Sequence, residues 1–271
     1  MNKRTLTIAL LLPAALLFQN CGKASDKAPA VNDTPVIAET PDTMPDTAHA
    51  DNIPFEVKKF EKEKGDNELE IEYPVSGNPE VVDSVRSWIN GELTGTFTGN
   101  PADAEAFFRH YASQLGTDPD LNEYGGYTID KFEIQFVNDL IVTYSYTTYL
   151  YEGGAHGEGG VYGATFLQSD GTLFSKSCFT SMRELRPLFI EGLKRYFKVT
   201  SDEELMGCLL NVKSLSTLPM PGRDPWIEED GVVFSYTPYE IAPYSSGSPR
   251  FTIPFDKIRP YLTEKGRSFI D

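Results

Sequence analysis

The folded part of the chain opens with apolar residues that alternate with charged ones. This alternation runs through residues 55–62 and again through residues 68–75, and Gly65, Asp66 and Asn67 separate the two segments. A period of two is typical of strands that bury one face, and glycine beside Asp or Asn favours a tight turn. The pattern predicts a β-hairpin.

Helical spacing follows the hairpin in two consecutive segments. Asn78-Pro79 and Asn100-Pro101 each offer an N-cap residue followed by proline, which is favoured at the first position of a helix. Gly116 supplies a stop for the second segment. We therefore expect two amphipathic helices. Their apolar positions are Val81, Val82, Val85, Trp88, Ile89 and Leu93 in the first, and Ala104, Phe107, Phe108, Tyr111, Ala112 and Leu115 in the second.

The period then returns to two in residues 132–136, 140–151 and 161–167. Asn138-Asp139 and Ser169-Asp170-Gly171 provide turns at the ends of these segments. Connections this short cannot cross over to make parallel pairs, so the segments are predicted to form an antiparallel meander.

The last third of the chain combines both periods. A helix is predicted to begin near Pro187, a second helix at a capping box of Thr200 and Glu203, and a final helix near Thr263. Residues 232–236 and 251–253 alternate as strands. The predicted fold class is α+β: antiparallel sheets packed with about four to five helices, in a two-part paired domain with halves 55–152 and 153–271.

The N-terminal residues indicate export. Lys3 and Arg4 precede an apolar run over residues 6–18, which is shorter than a membrane span, and Cys21 follows directly. Cysteine after such a run resembles the lipobox of bacterial lipoproteins, in which that cysteine is acylated; Asn20 stands where a small residue is usual, as in Bacteroidetes-type lipoproteins. We expect residues 1–20 to be a lipoprotein signal peptide and Cys21 the lipid attachment site, with simple secretion as the alternative.

Residues 21–54 have the composition of a flexible, acidic, proline-rich tether. The expected location is therefore the cell envelope, either in the periplasm or at the outer-membrane surface, with the lipid at Cys21 joining the protein to the membrane. The whole chain has 24 Lys and Arg against 40 Asp and Glu, for a formal net charge of −16. This excess of acids argues against nucleic acid as a partner, because a phosphate backbone requires a basic surface.

Candidate catalytic and metal-binding residues are few. Of the three histidines, His49 lies in the tether and His110 beside an apolar helical face, which leaves His156. Glu152, His156 and Glu158 contain metal-ligand types, but a glycine loop does not fix their spacing. We predict no metal, cofactor or catalytic residue, since the chain lacks the phosphate-loop, nucleophile-elbow and HExxH motifs. Cys178 and Cys208 could form a disulfide or stay as buried thiols.

The most unusual stretch of the sequence runs from Tyr149 to Gly157, with the pattern Tyr-x-Tyr-x-Gly-Gly-Ala-His-Gly. Three glycines in five residues let the backbone adopt positive φ or approach another surface closely. This string, with Phe166, residues 169–171, the helix over 185–197 and the turn over 239–247, resembles the extracytoplasmic domain of RsiV-type anti-sigma factors. The same domain occurs beside the catalytic domain of some peptidoglycan deacetylases.

The resemblance implies a recognition domain, since the anti-sigma members of that family bind lysozyme and occupy its substrate cleft. For this chain it implies a non-enzymatic binding module for a lysozyme-like muramidase or a cell-wall glycan. Two alternatives stay open: a peptidoglycan-directed hydrolase with His156 as general base, and a purely structural envelope protein. The glycine-histidine loop itself has a functional and a structural interpretation. The candidate ligand-binding residues are Tyr149, Tyr151, Gly153, Gly154, His156, Gly157, Pro243 and Tyr244.

Overall fold

A five-stranded sheet dominates the first part of the structure, a computed structural model that describes residues 53–271. Its strand order follows the chain, and the predicted hairpin and meander are both confirmed as antiparallel pairs. The strands are β1 (Glu56–Lys64), β2 (Asn67–Ser76), β3 (Tyr127–Val137), β4 (Ile141–Tyr151) and β5 (Glu158–Leu167).

Three helices connect β2 to β3, and this long connection makes β2 and β3 parallel neighbours. This pair departs from the predicted antiparallel arrangement, because a crossover that contains helices can return the chain in the same direction. The helices are α1 (Pro79–Glu92), α2 (Ala104–Gln114) and α3 (Pro119–Glu123).

The predicted N-cap of α1 is confirmed, whereas α2 begins later than predicted. Asn78 caps α1 as expected, with its side chain accepting a hydrogen bond from the Glu80 amide at 3.1 Å. The cap of α2 is instead Asp103, which accepts from Ala106 N at 2.9 Å. Asn100-Pro101 forms a turn outside the helix, and Tyr73 holds it by donating to the Pro101 carbonyl at 2.8 Å.

A second, three-stranded antiparallel sheet forms in the last part of the chain. The helix near Pro187 and the helix after Thr263 are confirmed. The capping box lies one residue later than predicted, at Ser201 and Glu204. The elements are α4 (Arg186–Phe197), α5 (Asp202–Cys208), β6 (Trp226–Glu228), β7 (Gly231–Ser235), β8 (Arg250–Pro254), α6 (Phe255–Ile258) and α7 (Glu264–Arg267).

The α+β fold class is thus confirmed, with two sheets and seven helices in residues 53–271, three of which have only four or five residues. Each sheet has its own apolar core. One core lies between the first sheet and α1 and α2; the other lies around the second sheet and α4. Ile141 and Leu167, at one end of β4 and β5, belong to the second core. The predicted boundary at residues 152–153 falls in the loop between these two strands of one sheet.

Cys178 is a buried free thiol, so the disulfide between Cys178 and Cys208 does not form. In the described part of the chain, no helix combines the length and apolar character needed to cross a bilayer. The predicted signal peptide, Cys21, His49 and all but the end of the predicted tether lie outside the described residues.

Candidate functional site

The loop over residues 152–157 joins β4 to β5, and two of its glycines are required by the local geometry. Gly153 has φ of +83°, and a Cβ atom there would lie 2.5 Å from both Cβ and O of Tyr124. Gly157 is buried, and a Cβ atom there would lie 2.5 Å from the Leu150 carbonyl oxygen. Gly154 differs, since it has no positive φ and the nearest atom to a Cβ there would be the His156 carbonyl oxygen at 4.0 Å, an ordinary contact. Only Gly153 therefore uses the left-handed freedom that the sequence suggested.

Tyr149 and Tyr151 hold this loop in place. The Tyr149 hydroxyl accepts a hydrogen bond from Gly157 N at 3.2 Å, and the Tyr151 hydroxyl donates to the Gly154 carbonyl at 2.9 Å. Both rings contact Tyr127 on the neighbouring strand, with centroid separations of 5.8 and 5.5 Å. These half-buried tyrosines position the loop. They were predicted from the sequence as ligand contacts, and in the structure they support the loop.

His156 is exposed at the end of the loop, and its ring has defined neighbours. The ring stacks on Tyr244, with centroids 3.7 Å apart and planes inclined by 15°. Nε2 lies 3.2 Å from the Tyr239 hydroxyl, and Nδ1 lies 3.2 Å from the Gly157 carbonyl oxygen. The tautomer with its proton on Nδ1 satisfies both bonds, because Nδ1–H donates to the carbonyl while Nε2 accepts from Tyr239. The imidazole is thus held in one orientation.

Tyr239 and Tyr244 come from the segment between β7 and β8. Tyr239 has a positive φ of +65°, which is uncommon for a tyrosine. Glu240 fixes this backbone, since its carboxylate accepts from Thr237 N at 2.8 Å and from Gly222 N at 2.7 Å. Pro243 begins the next turn, in which its carbonyl accepts from Ser246 N at 2.8 Å. Of the predicted residues Pro243 and Tyr244, it is Tyr244 that contacts the predicted His156.

Two exposed aromatic residues outside the predicted ligand-binding set complete this region. Tyr239 is 47% exposed and Tyr124 is 64% exposed, and Tyr124 lies directly against Gly153. The exposed fraction is large for side chains of this size, and it places their rings on the outside of the fold. We use the name loop surface for Tyr124, residues 152–157, Tyr239 and Tyr244.

The chemistry of the loop surface is that of contacts with rings and hydroxyls. The hydrogen-bond partners of His156 within the described part of the chain are a phenol and a backbone carbonyl. Among residues 53–271, no three His, Cys, Asp or Glu side chains are grouped to hold a metal ion, and this includes Glu152, His156 and Glu158. His110 lies elsewhere, on α2, where its Nε2 is 3.0 Å from Thr96 Oγ1.

Comparisons with known proteins find similarity to proteins of the DUF3298 family. A family model described as "Protein of unknown function (DUF3298)" matches residues 224–256, a segment that contains Tyr239, Pro243 and Tyr244. A solved DUF3298 family member from Bacteroides fragilis is 20% identical, with a TM-score of 0.60 over 80% of this chain and 96% of its own. A DUF3298 family protein from Pseudomonas aeruginosa is 16% identical, with a TM-score of 0.53 over 78% and 95%. No curated protein matches the sequence significantly. These two solved structures have the same fold as this chain.

Proposed function

We propose that this chain with a DUF3298 segment is a binding module of the cell envelope, and that its loop surface binds a lysozyme-like muramidase. The observation that carries the proposal is the fixed, exposed ring of His156, stacked on Tyr244 and bonded to the exposed Tyr239. The choice of a muramidase as the partner rests on the family resemblance of the glycine-histidine string. The structure contributes an exposed surface of tyrosine and histidine rings, which is suited to binding a protein.

Aromatic side chains with polar tips are well suited to protein recognition. Tyrosine and similar residues dominate binding hot spots, because they bury a large area and still donate or accept hydrogen bonds. Tyr124 and Tyr239 present such rings to solvent. Binding them to a partner would remove their apolar area from water at little cost in backbone ordering.

The loop surface is also organised in advance. Tyr149 holds Gly157, Tyr151 holds Gly154, and Glu240 holds the segment before Tyr244. A surface that is already ordered loses less conformational entropy when a partner binds. This supports a role in recognition for a loop whose glycines also have structural reasons to be there.

The negative net charge of the chain supports a basic partner. The formal net charge of the chain is −16, and Glu152 and Glu158 at the two ends of the loop are exposed. Lysozymes are commonly basic, so opposite charge would accelerate their encounter with this chain. The attraction would be screened beyond about 8 Å at physiological ionic strength, which makes it sensitive to salt.

The contacts of His156 favour binding over hydrolysis. A general base needs a reacting proton and usually a second catalytic group within about 3 Å. The described hydrogen-bond partners of His156 are Tyr239 and a backbone carbonyl, and neither is a carboxylate. A purely structural histidine would in turn be expected to be buried, whereas His156 is exposed.

Calorimetric titration of the full chain with a basic c-type lysozyme tests the proposal. We expect saturable binding at low ionic strength and weaker binding as salt is added. A parallel titration with a disaccharide fragment of peptidoglycan separates the two ligand classes. Binding of the fragment without binding of lysozyme would reassign the surface to a glycan, and binding of neither would overturn the proposal.

A further inference from the structure

A cavity of about 690 Å³ lies between the first sheet and the segment that connects α1, α2 and α3. Strands β2, β3 and β4 form one wall, and residues 111–122 form much of the other. This volume is within the usual range for sites that bind small molecules. Tyr149 and Leu150 are lining residues close in sequence to the loop surface, but His156, Tyr239 and Tyr244 do not line the cavity.

Asp130 is a half-buried carboxylate in the wall of this cavity. Its Oδ1 accepts hydrogen bonds from the Tyr146 hydroxyl at 2.6 Å and from Thr148 Oγ1 at 3.0 Å, and both of these residues also line the cavity. The two hydroxyls fix the orientation of the carboxylate. Burial raises the pKa of Asp130, although these two hydrogen bonds act in the opposite direction.

The other two carboxylates in the lining already have partners. Glu92 contacts Arg223, with Nη1 of the arginine 3.0 and 2.9 Å from its two oxygens. Asp118 caps α3 by accepting from the Asp120 amide at 2.9 Å. The ion pairs within residues 53–271 do not include Asp130. No lysine, arginine or histidine is among the described residues that line the cavity.

A half-buried carboxylate without a countercharge is costly, and a cation placed beside it restores favourable electrostatics. The remaining lining mixes leucine side chains with hydroxyl and amide groups such as those of Thr94, Gln114 and Asn122. We infer that this cavity binds a small hydroxylated organic cation, of the amino-sugar class, with its ammonium group on Asp130. The inference does not rest on the proposed function, because Asp130 takes no part in the loop surface.

Glucosamine and N-acetylglucosamine are the probes, since N-acetylation removes the charge from the nitrogen and adds an acetyl group. Titrations of the full chain followed by NMR at about pH 6, where an aliphatic amine is protonated, measure both affinities. We expect glucosamine to bind at least about tenfold more tightly, which is the effect of 1.4 kcal/mol. Equal affinities, or no binding of glucosamine at tens of millimolar concentration, would overturn the inference.

Two variants locate the binding. Asp130→Asn keeps an oxygen that accepts from Tyr146 and Thr148 but removes the charge, so glucosamine affinity should fall about tenfold. Asp118→Asn removes a charge from the same lining and keeps an N-cap of similar strength, so affinity should change less than about threefold. Unchanged affinity in Asp130→Asn would overturn the inference.

A measurement on the unaltered chain keeps the inference testable if Asp130→Asn does not fold. The carboxyl carbon signal of Asp130, followed through a pH titration, reports its protonation. Bound glucosamine should lower that pKa, because a cation favours the charged carboxylate. An unchanged pKa at saturating glucosamine would show that the ammonium group does not reach Asp130.

Discussion

The imidazole ring of His156 lies on the phenol ring of Tyr244, with centroids 3.7 Å apart. This contact joins the loop between β4 and β5 to the segment between β7 and β8. Tyr239 comes from the same segment and is 83 residues from His156 in the sequence. Its hydroxyl group forms a hydrogen bond with Nε2 of the His156 ring. The loop surface therefore exists only in the folded chain, and its composition depends on how the two sheets bring these segments together.

Gly153→Ala should destabilise the fold, because alanine is strained at φ of +83° and its Cβ would collide with Tyr124. We expect a loss of about 1–3 kcal/mol in the free energy of unfolding. Gly154→Ala is the matched control, since that position has no positive φ and a Cβ there would make only an ordinary contact. Chemical denaturation measures both variants, and equal stability of the two would contradict the described loop conformation.

Arg223 should couple energetically to Glu92. Its guanidinium contacts both oxygens of Glu92 and lies 4.2 Å from the ring centroid of Tyr162, so one side chain links the end of α1 to the segment before β6. Arg223→Ala should cost about 1 kcal/mol, since both partners of the ion pair are partly exposed. A double-mutant cycle with Glu92→Gln isolates the pair, and strictly additive effects would show that the contact contributes nothing.

Acid should weaken the capping box of α5. The amides of Thr200 and Ser201 donate to Glu204 at 2.9 and 3.0 Å, and these bonds lower the pKa of Glu204 from 4.5 to about 2. A pKa lowered by folding stabilises the protein above the unfolded value, and that contribution disappears as pH falls from 4.5 towards 2.

The Glu204→Gln variant isolates this effect. Its stability should decline less steeply than that of the wild type between about pH 4.5 and pH 2, because glutamine does not titrate. Glu203→Gln removes a charge from the same helical turn but leaves the capping box intact, so it should keep the wild-type slope. Thermal melts across this range provide the comparison. Identical slopes for the two variants would mean that the cap does not couple to acid stability.

Cys21→Ser should release the protein from membranes into the soluble fraction, because the expected site of acylation is lost. Fractionation of cells that produce the wild type and the variant measures this. Serine for Cys178, a buried cysteine of the fold, serves as a control that should stay with the membrane if it remains folded. Membrane association that persists in Cys21→Ser would show that the chain is not anchored through this residue.

Local patterns account for the parts of the fold that the sequence predicted well. The first hairpin, α1 and the pair β3 and β4 each depend on residues close in the chain, such as Asn78 at its cap or Asn138 at its turn. Long-range pairing was harder to predict. The parallel contact of β2 with β3 forms across three helices, and β6 has only three residues, too few to show a period.

The residues of the candidate site likewise divide into those that a local sequence pattern indicates and those that only the folded chain brings together. The glycine-histidine loop is visible as a string in the sequence, and so are Pro243 and Tyr244. Tyr239 lies in the turn over 239–247 that carries part of the resemblance, but its contact with His156 is tertiary, and no local pattern indicates Tyr124. The position of Asp130 in a cavity wall depends equally on the packing of α2 and α3 over the sheet.

The most direct test of the account compares lysozyme binding by the wild type, His156→Ala and His110→Ala at low ionic strength. His156→Ala removes the ring between Tyr239 and Tyr244, whereas His110→Ala removes a histidine from α2, outside the loop surface. With melting temperatures measured alongside, we predict at least about tenfold weaker binding for His156→Ala with little change in its melt, and wild-type affinity for His110→Ala. Equal lysozyme affinity for the wild type and His156→Ala would contradict the assignment of the loop surface as the binding site.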